Sequence, residues 1–213
     1  MAKKSTARPL YRVHSGVLML IKWERELKDK TGRTLEQWCR LLDKQRSDDG
    51  EHLDRAARIA FLKSHDRINA NSAWWLADRS LGELHPWDST EEGYLAKCPE
   101  VVDAQFAGAK AHLRPIADAL LDLARALGPD VGVSPCETII PIYRTHVIAQ
   151  VAAANRKCVR LSLALKGERF TKRLVDTGGT AKKDRLTHRI DIAELDEIDD
   201  VVKRALHRAY HAG

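Results

Sequence analysis

The sequence lacks any long apolar run, and none of its hydrophobic stretches approaches the 18 residues that a transmembrane helix needs. This absence argues against a protein that crosses a membrane through helices. The first residues, MAKKSTARPLYRV, contain lysines but no apolar segment of the kind that a secretory signal has. We therefore expect no secretory signal, no membrane partner and a cytoplasmic location.

Cysteine is also scarce, and its four residues show no spacing that is typical of a metal site: Cys39, Cys98, Cys136 and Cys158. Reduced thiols are the simplest interpretation in a cytoplasm. Cys136 or Cys158 with a histidine as base would make a nucleophile, but no local signature supports that pairing. The acidic run 196–200 is explained by a helix N-terminus without a metal. The sequence therefore predicts no catalytic residue, no metal and no cofactor.

The composition is that of an ordinary globular protein, with 44% hydrophobic and 31% charged residues. A length of 213 residues allows one large domain or two small ones. The formal net charge of +6 favours an anionic partner, although many soluble proteins carry such a charge without binding nucleic acid.

Helical patterns fill the first part of the chain. Apolar residues recur at helical spacing from Tyr11 to Lys30, and Thr34 with Gln37 three residues later has the form of a capping box. Two further patterns predict a helix from about Leu53 to Ser64 and another after Asn69. We therefore predict an all-helical domain over residues 10–82. A DNA-reading helix-turn-helix has similar spacing, but so does any small helical bundle. For the pair Trp74-Trp75, we favour a position in the core over a role in base stacking.

The segment Gly82–Asp88 combines glycine, proline and polar residues without periodicity, which is typical of a linker. We place the linker at residues 83–97 and a second domain at residues 98–213. A helical pattern runs from Val102 to Leu127, and Pro115 predicts a kink or break near residues 111–114. Asp196 is the predicted cap of a final helix.

Strand-like alternation is confined to the second domain. Apolar residues alternate with polar or small ones over 147–154, 158–165 and 186–192, and Asn155-Arg156-Lys157 has the length of a hairpin loop. Strands that follow one another without intervening helices indicate a mostly antiparallel sheet with helices packed on it. The predicted fold class is α+β, with a small all-helical N-terminal module.

Several segments resemble an uncharacterised bacterial family that joins an N-terminal helical domain of unknown function to a C-terminal domain of unknown function. They are TGRTLEQW, NSAWWLADR, AQFAGAKAHLRPI, LGPDVGVSPCETIIPIYRTHVIAQ and DTGGTAKKDRLTHRI. The C-terminal domain is similar to one in so-called predicted transport proteins. The resemblance extends from about Tyr11 to Tyr210, and it implies no reaction, ligand or site residue.

A glycine-bearing basic loop over residues 176–184 is the first candidate site. Gly178 and Gly179 can present successive backbone N–H groups as an anion nest, while Thr177 adds a hydroxyl and Lys182 and Lys183 add charge. The loop is not a Walker motif, because the glycine spacing and the following helix are missing. The alternative is a solvated turn.

A second candidate set consists of Arg144, Gln150, Arg160 and Ser162. The last three lie opposite the apolar residues of their strands and are able to form the polar floor of a shallow site. The alternative is the ordinary solvent-facing side of an antiparallel sheet. His188 lies near the loop, but alternation places it on the inward face, so we predict a buried, hydrogen-bonded ring.

These features support three functional hypotheses. The leading one is a non-enzymatic module that binds a small anionic or phosphate-bearing ligand through the C-terminal domain. The alternative is a nucleic-acid-binding accessory protein that uses the basic stretch 156–189. A weaker alternative is an enzyme acting on a phosphorylated substrate, with Arg160 and Lys182 as electrostatic clamps. The sequence does not predict the oligomeric state.

Overall fold

The structure is a computed structural model that describes residues 9–83 and 90–212. Within these residues the chain forms two compact units. One extends from Ser15 to Ala96, and the other combines the chain up to His14 with the chain from Lys97 onwards. Of the predicted linker Gly82–Asp88, residues 84–88 lie outside the described residues.

Four helices build the first unit: α1 (Ser15–Thr31), α2 (Leu35–Asp43), α3 (Arg55–Lys63) and α4 (Ala70–Leu81). The predicted capping box at Thr34 and the predicted cap at Asn69 are confirmed. The predicted start of the first helix at Tyr11 is wrong. The chain before α1 is extended, and the Arg12 N–H donates to the Val133 carbonyl at 2.8 Å.

Two tryptophans from α1 and α2 anchor the core of the first unit. Trp23 donates its Nε1–H to the Ser72 hydroxyl at 2.8 Å, and Trp38 donates to the Thr31 hydroxyl at 2.9 Å. Trp75 packs partly buried against this core. The prediction of a core role is wrong for Trp74, which is 46% exposed because it points away from the packed face of α4.

The helices of the second part of the chain are α5 (Glu91–Gln105), α6 (Arg114–Ala126) and α7 (Asp200–Ala212). The first of them begins at Glu91, inside the range 83–97 predicted as a linker, because Thr90 starts the helix. Its hydroxyl accepts the Gly93 N–H at 3.0 Å. The sequence did not predict this helix start, because the amphipathic pattern of α5 is weak.

A break before Pro115 is confirmed. After α5 the chain forms a 3-10 helix over Gly108–Leu113, and α6 follows with Pro115 in its first turn, where no N–H donor is needed. The predicted cap at Asp196 is wrong. That residue lies in a 3-10 turn (Leu195–Glu197), and the Asp199 carboxylate instead accepts the N–H groups of Val201 and Val202.

Six strands form one antiparallel sheet in the order β1-β2-β3-β4-β6-β5. The strands are β1 (Gly132–Val133), β2 (Ile140–Tyr143), β3 (Val147–Ala153), β4 (Val159–Leu163), β5 (Val175–Asp176) and β6 (His188–Ile192). The predicted hairpin is confirmed, because Ala153 pairs with Val159 across it.

The core of the second unit lies between the sheet and two helices. Val151, Leu161 and Ile190 are buried together with apolar residues of α6 and α7, such as Leu120 and Leu206. The predicted α+β class is therefore confirmed. Among the described residues, no helix is long and apolar enough to cross a membrane.

Candidate functional site

Alternation along β4 separates two faces of the sheet. Val159, Leu161 and Leu163 belong to the buried core, so Arg160 and Ser162 project from the opposite face. The strand register continues this second face across the neighbouring strands and determines which polar residues meet on it.

A row of three polar residues crosses the middle of this face, and we call it the polar row: Gln150, Ser162 and Arg189. Ser162 pairs with Gln150 on β3 and with Arg189 on β6. Directly paired residues bring their Cβ atoms to about 4.5–5.5 Å. Ser162 is only 7% exposed, and the other two side chains are partly buried.

Among the residues that the structure describes, the side chains of the polar row have no protein partners. Within the part of the chain that the structure describes, none of the three forms a side-chain hydrogen bond or an ion pair. The Nε–H of Arg189 is buried and has no acceptor in the described part of the chain. Buried polar groups are nearly always hydrogen-bonded, so the buried Arg189 Nε–H beside two further unpartnered side chains marks the row as a place where a ligand is able to bind.

Arg160, by contrast, is neutralised by a neighbour. Its guanidinium donates to both carboxylate oxygens of Asp191, at 2.7 and 3.1 Å. This hydrogen-bonded contact is the main reason that the pKa of Asp191 lies below its ordinary value, although burial opposes the shift. Asp191 is the direct cross-strand partner of Arg160. This pairing depends on the strand register, which sequence alternation alone does not reveal.

Arg144 lies in a different environment from Arg160 and Ser162. Its Nε–H donates to Asp130 at 2.6 Å, and its guanidinium stacks over the ring of Tyr210 at 4.6 Å. The Tyr210 hydroxyl donates to the same carboxylate at 2.9 Å. The Arg144 hydrogen bond is the largest cause of the lowered pKa of Asp130. The structure therefore gives Arg144 structural partners and does not bring it to the polar row.

The glycine loop, residues 176–184, connects β5 to β6, and its own side chains accept its glycine N–H groups. Gly178 donates to the Asp176 carboxylate at 2.7 Å, and Gly179 donates to the Thr177 hydroxyl at 3.0 Å. Gly178 has a φ of +78°, whereas a Cβ at Gly179 would lie 2.5 Å from the Leu186 carbonyl oxygen. Both glycines therefore have structural roles, and an anion nest would have to displace two internal hydrogen bonds.

Lys182 and Lys183 lie exposed in this loop and have no partner among the described residues. Four other basic residues of the β4–β5 and β5–β6 connections share these properties. Leu163 pairs with His188, so both connections leave the same end of the sheet. We call this group the basic end; its members are Lys166, Arg169, Lys172, Lys182, Lys183 and Arg185.

His188 is 1% exposed, and both ring nitrogens have partners. Nε2 lies 3.2 Å from the Glu168 carbonyl oxygen, and because a carbonyl only accepts, this nitrogen donates. Nδ1 lies 2.8 Å from the Thr187 hydroxyl, and Phe170 packs against the ring at a centroid distance of 4.4 Å. The predicted buried, hydrogen-bonded histidine is confirmed.

The cysteines are free thiols, and burial is the largest cause of the raised pKa of Cys136 and Cys158. A raised pKa disfavours the reactive thiolate. Among the residues that the structure describes, no group of three or more histidine, cysteine or acidic side chains could hold a metal ion.

Arg189 lies on the outward face of its strand, as the sequence predicts, but apart from the basic stretch 156–189 it belonged to neither predicted candidate site. The signal was the alternation of Thr187, Arg189 and Asp191 against the inward residues of β6. Alternation identifies a face, whereas only the register shows that Arg189 adjoins Ser162 while Asp191 neutralises Arg160.

Comparisons with known proteins bear on the C-terminal part of the chain. Residues 102–213 match the family described as Domain of unknown function (DUF5655). No curated protein matches the sequence, and no solved structure does. The matched region contains most of the second unit, including all six strands, the polar row and the glycine loop. Because the match covers more than half of the sequence, the chain belongs to the DUF5655 family, whose defining domain has no assigned function.

Proposed function

We propose that the C-terminal domain binds a small anionic, phosphate-bearing ligand on the polar row. The observation that supports this proposal is the unpartnered Arg189, whose Nε–H is buried without an acceptor beside the unpartnered side chains of Ser162 and Gln150. A partly buried guanidinium without a counter-ion loses hydration and gains no ion pair in return. An anion removes that penalty.

The donors on the row suit a phosphate group. Arg189 offers a planar guanidinium fork that matches two phosphate oxygens, and the Ser162 hydroxyl and the Gln150 amide each supply one further donor. The neighbouring Arg160–Asp191 pair is internally neutral, so Arg189 gives the row its net positive charge.

Calorimetry with inorganic phosphate and simple phosphate monoesters tests the proposal on the full chain. Hydrogen bonds to charged groups contribute about 1.5–3 kcal/mol each, so Arg189→Ala should weaken binding roughly 10- to 150-fold. Arg189→Lys keeps the charge but loses the fork, so its affinity should be intermediate. Arg67→Ala, which removes an exposed arginine in the first unit, is the matched control. Equal affinity of Arg189→Ala and the unmodified chain would refute the site.

The basic end favours a second candidate function, which is binding of a nucleic-acid backbone. Its six exposed cations have no partner in the described part of the chain. They lie on two connections that leave the same end of the sheet. On duplex DNA, each lost phosphate contact reduces the slope of log affinity against log salt by about 0.9. The double variant Lys182→Ala/Lys183→Ala should therefore flatten that slope by up to about 1.8. An unchanged slope would contradict this candidate.

A further inference from the structure

A cleft separate from the polar row lies in the second unit. It has a volume of about 480 Å³, within the range of roughly 300–1,000 Å³ that small-molecule pockets occupy. The end of α5, the 3-10 helix, the segment before β2 and the β3–β4 hairpin line it. Its polar lining consists of Gln105, Lys110, Glu137, Thr138 and Arg156.

Gln105, in the lining of this cleft, has a buried acceptor. The residue is 8% exposed, and its Nε2 donates to the Cys136 carbonyl at 2.6 Å and more weakly to the Ile139 carbonyl at 3.4 Å. Because carbonyl oxygens only accept, these two contacts determine which end of the amide is the NH₂ group. The remaining Oε1 is buried and has no hydrogen-bond donor among the described residues.

Two cations lie in the lining of the same cleft. Lys110 is partly buried, and its Nζ lies 3.4 Å from the Ala153 carbonyl, which leaves at least two of its N–H donors free. Arg156 is exposed in the hairpin loop and has no partner in the described part of the chain. Glu137 offsets one of these charges, so the lining retains a net positive charge.

We infer that this cleft binds a phosphorylated compound of nucleotide size that also carries an N–H donor. The donor satisfies Gln105 Oε1 at the buried side, and the phosphate contacts Lys110 and Arg156 towards the opening. An inorganic anion satisfies the cations but leaves the buried acceptor unpaired, whereas an uncharged compound does the reverse. A nucleoside monophosphate combines both groups, because its base has N–H donors and its phosphate is well separated from them.

The test is calorimetry of the full chain with four probes: AMP, CMP, GMP and UMP. The tightest of them should bind at least tenfold more strongly than ribose 5-phosphate, which lacks the base, and than its own nucleoside, which lacks the phosphate. An analogue in which the donor N–H groups of the base are methylated should also bind at least tenfold more weakly. This change of ligand tests the Gln105 contact without a core substitution.

Arg156→Ala tests the phosphate contact, and its loss should be at least fivefold for the nucleotide and absent for the nucleoside. Lys157→Ala is the control, since it removes the adjacent charge in the same turn but lies outside the cleft lining. The same titrations are run on Arg189→Ala, in which phosphate binding at the polar row is removed, and the base-dependent nucleotide binding that remains is assigned to the cleft. The inference is overturned if no nucleotide binds, if the methylated analogue binds equally well, or if Arg156→Ala has no effect.

Discussion

The glycine loop and the polar row both belong to the candidate sites, yet their polar groups are used differently. In the loop, the Gly178 and Gly179 N–H groups already donate to Asp176 and Thr177. In the row, the Arg189 Nε–H is buried and finds no acceptor within residues 9–83 and 90–212. The comparison teaches that a residue pattern suited to binding an anion is also a pattern suited to stabilising a turn. Unused hydrogen-bonding capacity distinguishes the two roles.

The largest expected effect concerns the two glycines. Gly179→Ala places a Cβ 2.5 Å from the Leu186 carbonyl oxygen, which is backbone, so we expect the free energy of unfolding to fall by about 3 kcal/mol. Gly178→Ala meets no atom within 4 Å but requires an alanine at a φ of +78°, which costs about 1–2 kcal/mol. Urea unfolding of both variants measures the difference.

Because the loop also carries the predicted nest, phosphate binding should be measured on the same two proteins under conditions where both are folded. Unchanged affinity would assign the glycines a purely structural role. If Gly179→Ala were no less stable than Gly178→Ala, the close approach to Leu186 would be contradicted.

An intermediate effect is expected at the ion pair beside the polar row. Asp191 and Arg160 are both partly exposed, so solvent screening limits the contribution of the pair to about 1 kcal/mol at neutral pH. The pKa of Asp191 is lowered in the folded protein. The stabilisation is therefore complete above the unfolded-state pKa of about 3.9 and is lost as the pH falls through the folded-state pKa.

Asp191→Asn tests this pH dependence. Its difference in unfolding free energy from the unmodified chain should be constant from about pH 7 to 5 and should shrink below about pH 4. Arg160→Gln should lose a similar amount, and the double variant should lose little more than either single variant. Additive losses would show that the two side chains do not stabilise each other.

The smallest effect is expected at the basic end. Lys182 and Lys183 are exposed and have no partner among the described residues, so replacing either with alanine should change the unfolding free energy by less than about 0.5 kcal/mol. Lys183 has a φ of +56°, so Lys183→Gly should stabilise the loop slightly. A loss well above 0.5 kcal/mol in the alanine variants would indicate a structural role and would complicate their use in the DNA-binding test.

Local chemistry made many elements predictable. The capping box at Thr34, the break before Pro115 and the β3–β4 hairpin all depend on residues close together in the chain. The predictions that were wrong failed for one of two reasons. Either a nearby residue of the same type competed for the role, or the cause lies far away in the chain. Asp196 and Asp199 both offer a carboxylate near the last helix, and the structure shows that Asp199 accepts the N–H groups of the first turn of α7. The chain from Tyr11 to His14 is extended because it joins β1, 118 or more residues away.

The amino-acid sequence by itself determined the class of the fold, the strands with their inward and outward faces, and the excess of basic residues within the C-terminal domain. These follow from periodicity and composition, which are properties of neighbouring residues. Only the tertiary structure decided which charges remain available. It pairs Arg160 with Asp191 and Arg144 with Asp130, and it leaves Arg189 and Gln105 Oε1 without partners among the residues it describes. Partner choice depends on strand register and helix packing, and both join residues that are far apart in the chain.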